Sequence, residues 1–434
     1  MARADVVIAE LLPPTASSAS RARELVREAL TRADALDWAD AGMLAVSEVV
    51  TNALVHAGTV IHLQVKVEAT CLRVEVGDGS PHHPLRRDYT SMAATGRGLK
   101  MLDECVDRWG VRPHGDGKVV WFELLAAGAP GGDESSEPAA GAPDVGDGAV
   151  VVELRNVPLL MHAAWQEHAS ALLRELLLVQ LDEEPDAFER HAEASDALNV
   201  LYEQIPVRDI GEDPDAVMAT AIEPDVSEEA LRVLVPRTSV PHFDTLQDLL
   251  VRATGAASDG HFLAPTTQPE IQELRAWLCH QVRGQALGRT EPVPWLARTD
   301  SWQPIEPLDH PDWDLRSVSA SPRALLATDE ASVVIAVSPA ALAFLGYRDE
   351  GELVGRRVIT IIPPRFHQAH IAGTTLHMTN GRSPLLGTHV TVPVVLADGN
   401  EAPVELEINP HRTAGRKVFV AEFFLEQQDT QRAG

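Results

Sequence analysis

The sequence predicts a multidomain α+β protein, and three observations carry that expectation. Its 434 residues exceed what a single hydrophobic core usually holds, so about two to four domains are expected. Two composition breaks cut the chain: the stretch "AAGAPGGDESSEPAAGAPDVGDGA" at 126–149, and the Pro- and Trp-rich "EPVPWLARTDSWQPIEPLDHPDWD" at 291–314. Between them the periodicity changes. The outer blocks mix helical patterns with two-residue alternation, whereas the middle block is mainly helical in pattern.

In the first block, 1–125, a helix is expected over 17–34, followed by a second that runs through "SEVVTNALVHAG" (47–58). Asp37 is its expected N-cap and Asp40 lies in its first turn, where acidic groups favour the helix dipole. "VIHLQVKVEA" and "CLRVEVGD" alternate as paired strands do. A helix near 96–105 leads into "VDRWGVRP", and "KVVWFELLA" closes the block as a strand. Helices on one face of a mostly antiparallel sheet are the expected layers. The segment 126–149 holds five acidic residues with no basic or aromatic one, a composition that reads as a flexible linker. Residues 150–290 form the expected helical domain, with "MHAAWQEHASALLRELLLVQL" and "PEIQELRAWLCHQV" amphipathic. Residues 291–317 are a connector whose prolines interrupt helices and whose tryptophans call for packing. Short strands return over 318–427, and 428–434 is expected to be a disordered tail.

A formal net charge of -28 opposes direct binding to nucleic acid or an anionic membrane. The three cysteines, Cys71, Cys105 and Cys279, form no CxxC pair, hence neither a disulfide framework nor a zinc motif. No apolar run approaches the ~18 residues of a membrane span. A cytoplasmic protein is expected.

The chemistry concentrates in the first block. Glu48, Asn52 and His56 fall at i, i+4 and i+8, one narrow polar stripe on an otherwise apolar helix. An amide oxygen suits Mg²⁺, and a carboxylate one turn earlier can accept a proton. "VEVGDGSP" places Asp78 just after a strand, with Gly79 allowing close approach, so the carboxylate can accept from an exocyclic amine. "TGRGLKML" opens a helix with two glycines around Arg97, a combination that favours phosphate oxygens. "GDGKVVWFEL" turns into a strand with Lys118 beside the same site. Singly, each motif has a bland reading as a satisfied amide, a turn or a solvated helix residue.

In this order and spacing the motifs resemble the GHKL (Bergerat-fold) ATPases, in particular the anti-sigma-factor serine kinases of actinobacteria, over roughly residues 5–125. The resemblance implies a Bergerat α/β sandwich with ATP and Mg²⁺ as cofactors. Glu48 would be the general base, Asn52 the Mg²⁺ ligand and Asp78 the adenine contact. Gly96, Arg97, Gly98 and Leu99 would lie at the phosphates, and His56 would support the pocket. Two departures stand out. The glycine box is D-G-S-P, and Val119 stands where the family often has a threonine behind the aspartate.

The last block, through "AFLGY", "ELVGR", "IIP", "TNGRSPLLG" and "ADGNEAPVEL", resembles a PAS domain. Aligned with haem-binding PAS domains, His370 falls at the iron-ligand position, while Val390 replaces their arginine. A structural histidine is the first expectation and a PAS ligand such as haem the second. The block contains no cysteine, which excludes a flavin–cysteinyl photosensor.

Three functions follow as expectations. The first is a serine kinase switch acting on a STAS-type anti-sigma-factor antagonist, with a sigma factor as competing ligand, under PAS control. The second is an ATP-gated scaffold without phosphoryl transfer. The third is an atypical sensor histidine kinase using His168, expected to be half-exposed on its helix. A homodimer is compatible with both outer domain types.

Overall fold

The structure, a computed structural model, describes residues 5–79, 102, 104–115, 117–126, 148–180, 184, 186–207, 218–262, 264–296, 313–381, 385–413 and 416–425. The N-terminal domain is an antiparallel sheet in the order β1-β2-β3-β5-β4, formed by Val6–Leu12, Ile61–Val67, Cys71–Asp78, Gly117–Leu125 and Arg108–His114 respectively. Helices α1 (Ser17–Ala33) and α2 (Ala39–Ala57) cover one face. Strand alternation produces this layering. Ile61, Leu63, Val65 and Val67 of β2 are buried, as are Leu72, Val74 and Val76 of β3 and Phe122 of β5. They meet Leu25, Val26, Ala29 and Leu30 of α1 and Val46, Val49, Val50 and Ala53 of α2.

One cap expectation is corrected. Asp37 lies in a short 3₁₀ turn, Leu36–Trp38, and α2 starts at Ala39 without any side-chain cap. Burial of Trp38 in that turn offers a packing reason for the delayed start.

The central region holds α3 (Leu159–Gln180), α4 (Ala187–Gln204), α5 (His242–Ser258) and α6 (Pro269–Ala286). It is not purely helical. β6 (Ala149–Pro158) and β7 (Ser227–Pro236) pair antiparallel across more than sixty residues of intervening chain. Val152, Leu154, Val233 and Val235 of this ribbon enter the core formed by the helices. In the connector, Trp295 is buried edge-on against Trp277 with ring centroids 5.8 Å apart.

The C-terminal domain opens with the short α7 (Arg316–Ser319). Its sheet runs in the order β10-β11-β12-β8-β9, from Val390–Val395, Glu401–Thr413, Arg416–Phe424, Leu325–Asp329 and Val334–Val337. Helices α8 (Pro339–Leu345) and α9 (His367–Asn380) lie between β9 and β10 in the chain. Ser338 caps α8, its hydroxyl accepting from the Ala341 amide at 3.2 Å.

The three regions are in contact. Gln268 of the central region donates to the Ile371 carbonyl and to Thr375 Oγ1 of α9, at 3.2 and 3.0 Å. At the other end α4 packs against α2, and Phe188 joins the N-terminal core.

Candidate nucleotide site

Helix α2 is fixed by its apolar face, and Gly58 ends it with φ +58°. The Gly58 amide bonds to the carbonyls of Ala53 and Leu54, at 3.3 and 3.2 Å. Glu48 and Asn52 flank the buried face and are half-buried, which leaves both polar groups at the margin of the core. The His56 side chain lies outside the described residues.

At the end of β3, Asp78 continues the row of Leu72, Val74 and Val76, so its carboxylate turns to the helix side of the sheet. Its partner across the ladder is Lys118, and Gly77 pairs with Val119. Lys118 Nζ donates to Asp78 Oδ1 at 3.0 Å, with the side chains 8% and 2% exposed. Burial pulls the Lys118 amine below the ordinary lysine range, while Asp78 acts to raise it.

This register corrects one expectation. The residue behind Asp78 is Lys118; Val119 lies on the opposite face, where a side chain at Gly77 would meet its Cγ2 at 3.4 Å. Side-chain direction alternates along a strand, so a shift of one position exchanges the faces. The sequence motif did not specify which neighbour turned inward.

One glycine permits this closeness. A methyl group at Gly117 would collide with the Asp78 carbonyl oxygen, so only glycine lets the strand ends approach there. Thr59 was not singled out from sequence, yet its Oγ1 accepts from the Gly79 amide at 2.9 Å and ties the end of α2 to the Asp78 turn.

Helix α4 was also missed. A methyl group at Gly58 would lie 2.6 Å from Ala192 Cβ and 2.9 Å from the Phe188 carbonyl oxygen. The charge of Glu203, near the far end of α4, acts on Lys118. The central region therefore packs against the end of α2, next to the Thr59–Gly79 tie at the Asp78 turn. No local periodicity announces such a long-range contact.

Asp78, Gly79 and Lys118 are thus brought together, and Glu48 and Asn52 share one side of α2. Gly96, Arg97, Gly98 and Leu99 lie outside the described residues. A cavity of about 840 Å³ adjoins Thr59, Asp78 and Lys118 but extends to His62, Gln64 and Glu75, and neither Glu48 nor Asn52 lines it. Those three extending side chains alternate with the buried rows of β2 and β3, so most of this groove lies on the other sheet face. The carboxylate–amide chemistry, rather than cavity size, marks the candidate site.

Residues 12–124 match the model of the histidine kinase-like ATPase domain family, and residues 318–432 match the PAS fold. The N-terminal domain is a histidine kinase-like, GHKL-type ATPase domain. An uncharacterized protein of Azorhizobium caulinodans is 35% identical over 99 residues, which are 23% of this chain and 13% of that relative. The chain thus spans far less than two thirds of that relative's length. Among solved structures, the PAS domain of an HTR-like protein from Haloarcula marismortui is 19% identical, with a TM-score of 0.21, and the match covers 25% of this chain and 86% of that one. The Rhodobacter sphaeroides LOV protein is also 19% identical, with a TM-score of 0.22, 27% of this chain and 66% of that one being covered.

Two histidines complete the inventory. His168 is buried at 2% exposure, not half-exposed. Its ring shares hydrogen bonds with Thr267 Oγ1 at 2.8 Å and Thr379 Oγ1 at 3.2 Å, and burial pushes it down to about 4. Such a ring cannot meet a γ-phosphate without opening the α3–α9 contact. His370 sits on α9 with its Nε2 buried and unpartnered among the described residues. Burial, with help from Arg357 and His367, pushes it down to about 3, so the ring is neutral. Among the described residues no group of three or more His, Cys, Asp or Glu is placed to hold a metal, and no helix is long and apolar enough to cross a membrane.

Proposed function

We propose that this chain is an ATP-binding signalling switch whose N-terminal domain phosphorylates a serine of a STAS-type anti-sigma-factor antagonist, with a sigma factor as the competing partner. The observation that carries this reading is Asp78: a carboxylate at a strand end, on the helix side of the sheet, between Gly77 and Gly79. It would accept from the adenine amine. Asn52 would offer its side-chain oxygen to Mg²⁺, and Glu48, one turn earlier, would take the proton of the attacking hydroxyl. Bound Mg²⁺ supplies charge neutralisation at the phosphates, and the protein supplies mainly position. Gly96, Arg97, Gly98 and Leu99 would meet the phosphates, as in the family the motifs resemble.

The contacts of α9 with the central region and of α4 with α2 support a route from the PAS domain to the ATP site. A second reading has its own support. The glycine box D-G-S-P departs from the family pattern, which favours an ATP-gated scaffold over an efficient kinase. A haem at His370 is a lesser reading, supported by the free, neutral Nε2. The ultraviolet–visible spectrum of the purified protein tests it.

Incubation with Mg²⁺, γ-labelled ATP and candidate antagonists tests the kinase reading. Acid-stable label on a partner serine, lost with Glu48→Ala, supports it. ATP binding without transfer moves the balance to the scaffold.

A further inference from the structure

We propose that Thr59 is a positioning residue through which the central region sets the place of the Asp78 turn relative to α2. This rests on the reading that Asp78 holds the base while α2 carries the groups that act at the phosphates.

Those groups lie on different elements. Glu48 and Asn52 belong to α2, whereas Asp78 ends β3. The ladder between β2 and β3 stops with His62 opposite Gly77, just short of Asp78. Thr59 spans the gap beyond it. Its Oγ1 accepts from the Gly79 amide at 2.9 Å. A methyl group at Gly79 would meet Thr59 Cγ2 at 3.0 Å and Oγ1 at 3.1 Å, so glycine there is what lets the threonine come so near. A threonine suits the task, since its hydroxyl can accept and its branched Cβ leaves little rotamer freedom to lose.

On its other side Thr59 follows Gly58, where α2 ends with φ +58°. That residue lies against α4, where a Cβ would fall 2.6 Å from Ala192 Cβ and 2.9 Å from the Phe188 carbonyl oxygen. Phe188 also packs on the N-terminal core. Gly58 has no side chain to yield, so a displacement of α4 passes to its backbone. The planar peptide bond hands the shift to Thr59, and the hydrogen bond hands it to Gly79, next to Asp78. The Thr59–Gly79 bond is exposed, so it acts on placement more than on global stability.

The test is calorimetric titration of the full chain with Mg²⁺–ADP, which binds without transferring phosphate. Thr59→Val keeps the shape and removes the acceptor. Binding roughly 3- to 10-fold weaker is expected, the scale of one hydrogen bond, with an unfolding midpoint close to wild type. Thr59→Ser, which retains the hydroxyl, should bind within about twofold of wild type. Phe188→Ala should weaken binding about threefold alone and much less in the Thr59→Val background, where the link it acts through is already cut. Phe188→Leu repeats the cycle if Phe188→Ala fails to fold. Residue-resolved hydrogen exchange needs no variant, and the wild-type Gly79 amide should exchange at least about tenfold more slowly than a free one. An unprotected Gly79 amide, unchanged affinity in Thr59→Val, or an equal factor for Phe188→Ala in both backgrounds would overturn the proposal and leave the Asp78 site standing. Absence of ADP binding by the folded wild type would overturn both.

Discussion

Arg357 of the PAS domain donates to Glu270 of α6 at 2.8 Å, with side chains 1% and 4% exposed. Gln268 Oε1 accepts from the same guanidinium at 2.7 Å, and the Ala331 carbonyl accepts from its other arm. This buried pair joins the sensor to the central region. Desolvation acts against both charges, so the pair fixes geometry more than it adds net stability.

Arg357→Met leaves Glu270 buried without its counter-charge. A loss of roughly 3–5 kcal/mol is expected. Adding Glu270→Leu should restore part of it, because one of the two buried carboxylates that act on Arg357 is then gone while Asp329 remains. Chemical denaturation of the two variants against wild type reads both values. Equal loss in the single and double variants would show that shape, not charge, holds the joint.

Gly58→Ala places a methyl group against Ala192 on a residue whose φ is +58°. The strain and the overlap together are expected to cost about 1–3 kcal/mol. The local readout is faster hydrogen exchange in α4 while the sheet core stays protected. Unchanged exchange in α4 would mean that the central region does not depend on this contact.

Stability is expected to fall in acid. Burial pushes His162 down to about 3, and His168 and His191 down to about 4, from the ordinary 6.5. The unfolded chain binds protons that these folded rings refuse. Their contribution is therefore intact above about pH 6.5 and shrinks as pH drops toward 4, by about 1.4 kcal/mol per pH unit for each ring. His242 works the other way. Its hydrogen bond to Asp196 raises it, so its contribution is present below the unfolded value and lost as pH rises through the folded one. His370, down to about 3, and His377, down to about 4, act in the same direction, so the lowered rings outweigh the one that is raised. Urea midpoints at pH 7.5 and 5.0 should differ clearly, and equal midpoints would contradict the burial of these rings.

Val119→Thr offers a check on the register. Because Val119 faces away from Asp78, a hydroxyl there should change nucleotide affinity less than about twofold, well under one hydrogen bond. A tenfold gain would place Val119 behind the aspartate and reverse the two faces.

The strands and long helices were legible because their periodicity is local. The alternation in "HLQVKV" and "LRVEVGD" emerges as β2 and β3, and the apolar face of "SEVVTNALV" emerges as α2. Glu48, Asn52 and Asp78 could be picked out by residue type and spacing. Three features could not. The inward turn of Lys118 depends on ladder register between residues forty apart. The pairing of β6 with β7 and the seat of α4 on α2 depend on contacts between distant segments, which no window of sequence records. His168 gave no sign of burial either, since the helix facing it, α9, comes some two hundred residues later.

The most direct test of the nucleotide site is equilibrium binding of Mg²⁺–ATP to wild type, Glu48→Ala and Asp78→Asn, with thermal unfolding followed alongside. Wild type and Glu48→Ala should bind alike, and folded Asp78→Asn should bind roughly 10- to 100-fold more weakly, the scale of one hydrogen bond to a charged group. Equal affinity in Asp78→Asn, or no binding by the folded wild type, would contradict the placement of the base at Asp78.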